Sequence, residues 1–223
     1  MARRDWEFRI LGGLGLDERG SPLNHWNLVL AGLGGQGVMT ISQILAAAAS
    51  TEGLKVKFFE GTGITQRGGG VYAFVRFGEA YSPRIPVGEA DAIVSLEISE
   101  IVAVIHYLKS GGQVWTSSEK IHSYYSKLDP QSYPDQERVE ATVRLKTEDL
   151  HLIPGDRLAQ EAEAPMAVNM VMMGAFSRGN DFLKTESITG AIGQTNPEFA
   201  EPSLRAFWKG HQFVEKGERL DDR

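Results

Sequence analysis

The chain has 223 residues, 42% hydrophobic and 23% charged, a composition that suits one folded domain with extensions and is too apolar for a disordered chain. Its 23 Lys and Arg stand against 29 Asp and Glu, a net charge of -6 with no basic block, which argues against nucleic acid as a partner. Cysteine is absent, so this chain has no disulfide, no thiol nucleophile and no sulfur-ligated zinc or iron–sulfur cluster.

Residues 1–26 read as an N-terminal arm, glycine-rich yet carrying Trp6, Phe8, Ile10, Leu11, Leu14 and Leu16. No apolar run in the chain reaches the ~18 residues of a membrane span, and a soluble, cytoplasmic protein is expected. The first strand is expected over 27–32, nearly all apolar, as a strand covered on both faces would be. Gly34-Gly35-Gln36-Gly37 then makes a tight turn, and 38–52 has apolar residues at helical spacing, closed by Gly53 at a C-cap position. A second strand over 54–59 completes an expected βαβ unit with a right-handed crossover.

Residues 60–70 are too polar and glycine-rich to be regular. Further strands are expected over 71–77, 92–96 and 113–116, with a proline-bearing loop over 79–90 and a helix over 98–108 ended by Gly111-Gly112. After a long connection over 117–138, the alternation over 139–145 predicts a sixth strand. Helices are expected over 157–163, from Pro165 to about Phe176, over 184–192 and over 202–214. The methionines at 166, 170, 172 and 173 read as core filler. The expectation is therefore an α/β, Rossmann-like domain over 27–214, with a mostly parallel sheet, flanking helices and a helical C-terminal portion, followed by a charged tail over 215–223.

Three constellations stand out. Gly32-Leu33-Gly34-Gly35-Gln36-Gly37 satisfies G-x-G-x-x-G between a strand and a helix, and Glu60 falls roughly where a ribose-binding acid would sit. An independent NAD- or FAD-binding protein is thus one reading; the other is that the glycines only permit a tight turn and close packing. Gln66-Arg67-Gly68-Gly69-Gly70 places three glycines beside an arginine outside a strand end, a segment suited to phosphate or to another protein surface. Glu97 and Glu100, between a strand end and a helix start, suit capping or an ion pair better than acid–base work. The five histidines show no metal-ligand spacing.

In order along the chain, Gly34-Gly35-Gln36-Gly37, Gln66-Arg67-Gly68-Gly69, Pro86-x-Gly88-x-Ala90-Asp91, Glu97-x-x-Glu100, the Asn169–Ala175 segment and Ala206-Phe207-x-x-Gly210 resemble the small gamma subunit or domain of 2-oxoacid:acceptor oxidoreductases. The Gln-Arg-Gly-Gly version resembles the aryl-2-oxoacid branch, such as the indolepyruvate and phenylglyoxylate enzymes. The resemblance implies a non-catalytic partner, itself holding no cofactor, of larger subunits that carry thiamine diphosphate, Mg and [4Fe-4S] clusters. FAD would belong to an added subunit in some variants. The complex would oxidatively decarboxylate a 2-oxoacid with coenzyme A and pass electrons to ferredoxin or NAD. Gly34, Gly35, Gln36 and Gly37, and Gln66, Arg67, Gly68 and Gly69, leave the carboxyl ends of expected strands, which places them together at a cofactor- or subunit-facing edge. A purely scaffolding or regulatory subunit is the remaining reading.

Overall fold

A computed structural model describes residues 25–62, 69–119, 133–179 and 182–217. Residues 1–24 of the expected arm, the end of the tail, and Gln66, Arg67 and Gly68 lie outside these residues.

The apolar run forms β1 (His25–Leu33), buried from Asn27 to Leu33. Helix α1 (Val38–Thr51) follows the glycine turn and buries Val38, Ile41, Ile44, Leu45, Ala48 and Ala49 on one face. It ends as expected at Gly53, whose φ is +71°. The Leu54 N–H donates to Ala49 O and the Gly53 N–H to Ser50 O, so two orphan carbonyls are satisfied at the left-handed glycine.

Next come β2 (Val56–Thr62), β3 (Gly70–Gly78) and β4 (Ala90–Ser95). A short 3-10 turn (Ile98–Glu100), α2 (Ile101–Val104) and a second 3-10 turn (Ile105–Tyr107) lead into β5 (Leu108–Ser117). Then follow α3 (Gln136–Arg144), β6 (Leu150–Ile153), α4 (Gly155–Glu161), α5 (Val168–Arg178), α6 (Thr185–Thr195) and α7 (Ala200–Glu215).

The six strands lie in the order β2-β3-β1-β4-β5-β6. β1, β4, β5 and β6 pair in parallel, while β3 runs antiparallel to both β1 and β2. Five strands thus share one direction, and the sheet is the mostly parallel, α/β one expected.

In four places the structure refines or corrects these expectations. First, β1 and β2 run parallel, as the βαβ unit requires, with β3 inserted between them. The link from Thr62 to Gly70 is too short for a parallel crossover, so β3 must fold back beside β2. Second, residues 139–145 are not a strand. Val139 and Val143, four apart, are the buried face of helix α3, and the sixth strand is Leu150–Ile153. Third, the helix expected through 108 is broken, and Leu108 already pairs in β5. The register passes from Ala90–Leu108 to Ala92–Gln113, so Gly111-Gly112 sit within an irregular strand rather than ending a helix. Fourth, α5 begins at Val168, with Pro165 in the turn before it.

Each sheet face has its own core. One packs Leu28, Leu30, Val75, Phe77, Val94 and Trp115 against α1, α5, α6 and α7, and it includes Met170, Met172 and Met173, the filler expected of them. The other packs Val29, Phe74, Ile93 and Val114 against Ile98, Ile101, Val139 and Val143. Each fully buried Leu, Ile or Val contributes about 1.5–3 kcal/mol. This double cover fixes the carboxyl ends of the parallel strands, where open α/β sheets place functional loops.

Candidate functional site

At that edge the turn after β1 is tied to its neighbours by the chain's own groups. Gly35 and Gly37 have φ of +97° and +88°, which glycine alone adopts without strain. The Gln36 side chain folds back over the strand ends. Its Oε1 accepts from the Leu33 N–H at 2.6 Å, and its Nε2 donates to Leu96 O at 3.1 Å, bridging β1 to the segment after β4. The Gly34 N–H donates to Gly69 O at 3.0 Å, so the described end of the Gln66–Gly70 segment does meet the turn. On the fourth side Asn169, at the start of α5, lies against Gly37, and a Cβ there would be 2.3 Å from Asn169 Nδ2.

Next to this turn lie two carboxyls. Glu97 is fully buried. Its Oε2 accepts from the Ser99 N–H at 2.8 Å, capping the 3-10 turn as its position suggested. The Ser99 and Tyr133 hydroxyls also donate to it. Glu100 is half-buried against Gly70. Burial, followed by the charge of Glu97, pushes its carboxyl up to about 7. Burial, and then the hydrogen bond to Glu97, push the Tyr133 phenol well above its ordinary range. Sequence reasoning found both carboxyls but missed Tyr133, Ser99 and the role of Asn169. Only a known topology brings these residues together.

The raised Glu100 carboxyl gives a pH prediction. Its folded value lies above the ordinary 4.5, so the folded chain holds a proton that the unfolded chain has released. Stability from this group is full below pH ~4.5 and is lost as pH rises through about 7. Glu100→Gln should therefore leave the thermal midpoint nearly unchanged at pH 5 and raise it at pH 8. Because the group is partly solvated, the gain should be about 1 kcal/mol. Thermal melts at the two pH values check this.

The chain's own groups occupy part of what a dinucleotide would use at the turn. The Leu33 and Gly34 N–H groups are already taken, by Gln36 Oε1 and Gly69 O. Asn169 fills the approach to Gly37. Glu60 accepts from Ser42 Oγ, and β3 separates its strand from β1. Titration of the chain with NAD, NADP and FAD should show no saturable micromolar binding. Binding that Gly34→Val abolishes would restore the dinucleotide reading. Among the described residues no cluster of His, Asp and Glu could hold a metal ion, and no helix is long and apolar enough to cross a membrane.

Beside Asn169 opens an apolar groove of about 410 Å³, lined by Thr40, Ile44, Met170, Ile192 and Phe199 among others and, among the described residues, by no charged side chain. Met166, on its rim, is 94% exposed and Phe199 59%. Met166 therefore departs from the core role expected of it.

The sequence profile of the pyruvate ferredoxin/flavodoxin oxidoreductase family matches residues 27–213. The chain belongs to this family. It is 35% identical over 195 residues to the indolepyruvate oxidoreductase subunit IorB of Thermococcus kodakarensis, covering 84% of this chain and 95% of that one. The corresponding IorB of Pyrococcus horikoshii is 33% identical, covering 83% of this chain and 94% of its own length. Among solved structures, the gamma subunit of a keto/oxoacid ferredoxin oxidoreductase from Geobacter sulfurreducens superposes with a TM-score of 0.63 at 22% identity. That match covers 86% of this chain and 99% of the other, and it shows the shared fold. The chain is thus a small, beta- or gamma-type subunit of a 2-oxoacid:ferredoxin oxidoreductase complex. The glycine turn belongs to a family domain rather than to a free-standing dinucleotide enzyme.

Proposed function

We propose that the chain is the small subunit of a thiamine-diphosphate-dependent complex that oxidatively decarboxylates an aryl-2-oxoacid with coenzyme A, passing electrons to ferredoxin or NAD. Thiamine diphosphate, Mg and the [4Fe-4S] clusters belong to larger partner subunits, and any FAD to an added one. The aryl preference is supported by the similarity to indolepyruvate subunits at 35% and 33% identity. The observation that carries the reading is the interlocked edge of Gly34–Gly37, Gly69–Gly70, Glu97 and Asn169 beside an uncharged groove. Such an edge offers rigid backbone and apolar surface to a partner, without a nucleophile and base of its own. The unit 27–214 docks through this edge, and Arg67 supplies a fork of donors to a carboxylate on the larger subunit.

Co-purification of the tagged chain with a larger chain that carries the thiamine site tests the reading, and turnover of a 2-oxoacid by the chain alone would overturn it. Arg67→Ala then sorts the contact. Weakened assembly, by about 2–5 kcal/mol for a buried pair, places Arg67 on the subunit. Intact assembly with a raised KM for coenzyme A or the 2-oxoacid places it on a ligand. A variant unchanged in both removes Arg67 from the site.

A further inference from the structure

The last feature of the edge that the proposed function does not use is the contact between Glu100 and Gly70. A Cβ at residue 70 would fall 2.2 Å from Glu100 Oε2, so the carboxyl lies directly on the glycine backbone. Gly70 is the first residue of β3 and pairs with Leu33, the last of β1. Gly69 before it is buried and accepts from the Gly34 N–H. The place where the glycine-rich segment re-enters the sheet is therefore held between the turn on one side and Glu100 on the other. Any side chain at 70 would displace the Glu100 carboxyl.

We infer that Glu100 is a positioning residue: its carboxyl, packed on Gly70, holds the Gly69–Gly70 backbone against the Gly34–Gly37 turn and so sets the shape of the edge presented to a partner. The Glu100 backbone N–H donates to Glu97 O, but among the described residues its carboxyl makes no hydrogen bond and no ion pair, so it serves neither as a cap nor as half of a salt bridge. That distinguishes it from Glu97, which is fully bonded. The titratable groups acting on Glu100 among the described residues are Glu97, on its own 3-10 turn, and Tyr133, from the segment before α3. Neither is a cation. A neutral carboxyl can lie on a glycine backbone without the solvation that a carboxylate demands. Protonation thus favours the packed position, in line with the carboxyl's shift to about 7.

The consequence for assembly rests on the function proposed above; the packing itself does not. The experiment is a cycle of Gly70→Ala, Glu100→Ala and the double variant, with Glu100→Gln as the shape-preserving member. Assembly of the full complex and its kcat and KM are measured at pH 6 and pH 8. Gly70→Ala and Glu100→Ala should each weaken assembly or raise KM about tenfold with kcat less affected, and Gly70→Ala/Glu100→Ala should be no worse than either single variant, because all three lose the same contact. The wild type should assemble less well at pH 8 than at pH 6, and Glu100→Gln should remove that difference. Additive losses in the double variant, a Glu100→Ala that assembles like the wild type, or superimposable pH profiles for wild type and Glu100→Gln, overturn the inference. Thermal unfolding of the same four chains without partner separates the two ideas. Coupling between positions 70 and 100 in chains that assemble with nothing keeps the positioning role and sinks the function. Additive effects in an assembling chain do the reverse.

Discussion

Gly210→Ala and Gly174→Ala should each destabilise the chain by about 3 kcal/mol, although Ala is the better helix former by ~1 kcal/mol. Helices α5 and α7 cross with their glycines facing each other's backbone. A Cβ at Gly174 would lie 1.9 Å from Phe207 O, and one at Gly210 1.9 Å from Val171 O. A carbon and a carbonyl oxygen in contact normally stand at roughly 3.3 Å. No rotamer relieves a clash with main chain, so the helices must part. Parting them opens the packing of Val171, Ala175, Ala206 and Phe207, all fully buried. For a chain of this size the midpoint should fall by about 6–12 °C. The effect reaches the site, because α5 carries Asn169 onto Gly37. The control is built into the same chain. A Cβ at Gly190 or Gly193, on α6, meets nothing within 4 Å. Gly190→Ala should therefore be neutral or stabilise by up to ~1 kcal/mol. Equal effects at 190 and 210 in thermal melts would show that helix propensity, not the crossing, dominates.

The residues of that crossing show what was legible in the sequence. Ala206-Phe207-x-x-Gly210 and the Asn169 segment are recognisable as patterns. That Gly210 meets Val171 O is a fact of three-dimensional crossing, which no local period records. Strands β1, β3 and β4 were legible because they are buried on both faces and read as apolar runs. α3 was not, because Val139 and Val143 satisfy a two-residue alternation as well as a helical one, and the decision comes from Ile98, Ile101 and their neighbours, against which that face packs. The place of β3 was legible in principle. The short link from Thr62 to Gly70 forbids a parallel crossover, and an antiparallel third strand follows from that length alone. At the site, the glycine turn and the carboxyl pair were visible as motifs. Gln36 reads in the sequence as a turn residue facing a cofactor or subunit, whereas its amide bonds to the chain's own Leu33 N–H and Leu96 O. A side chain that bridges two backbone segments cannot be told from a turn residue until its partners, here the acceptor Leu96 O and the donor Leu33 N–H, are in place.

Arg76→Met should cost about 3–5 kcal/mol, because it takes the donor from three oxygens around a buried guanidinium. Arg76 gave no signal in the sequence, being one charged residue in an imperfectly alternating strand. In the structure it is 2% exposed. Its Nε donates to Asn27 Oδ1 at 2.9 Å, and its Nη1 donates to Ser82 O at 3.1 Å and Arg84 O at 3.0 Å. Asn27 in turn donates through Nδ2 to Glu89 O, and its backbone N–H donates to Asp91 Oδ2. One guanidinium therefore ties the loop over 79–90 to β3 and β1. Burial lowers its pKa and the charge of Glu89 opposes that shift; arginine stays charged throughout. Methionine fills much of the volume but leaves three oxygens without their donor, each at about 1–3 kcal/mol where water cannot enter. Lysine keeps the charge but has no planar fork to reach two carbonyls and Asn27 together, so Arg76→Lys should fall between the two. Urea unfolding gives the magnitudes, and limited proteolysis within 79–90 should speed up in both variants. This loop and its anchor lie at the end of the sheet away from the glycine turn, since Asn27 pairs with Arg76 near the start of β1 whereas Leu33 pairs with Gly70 at its end. Below its lowered midpoint, Arg76→Met should therefore co-purify with the same partners as the wild type. A Met variant within 1 kcal/mol of the wild type would mean that the loop holds itself by its own prolines and by Arg84 stacked 4.5 Å over the Phe59 ring.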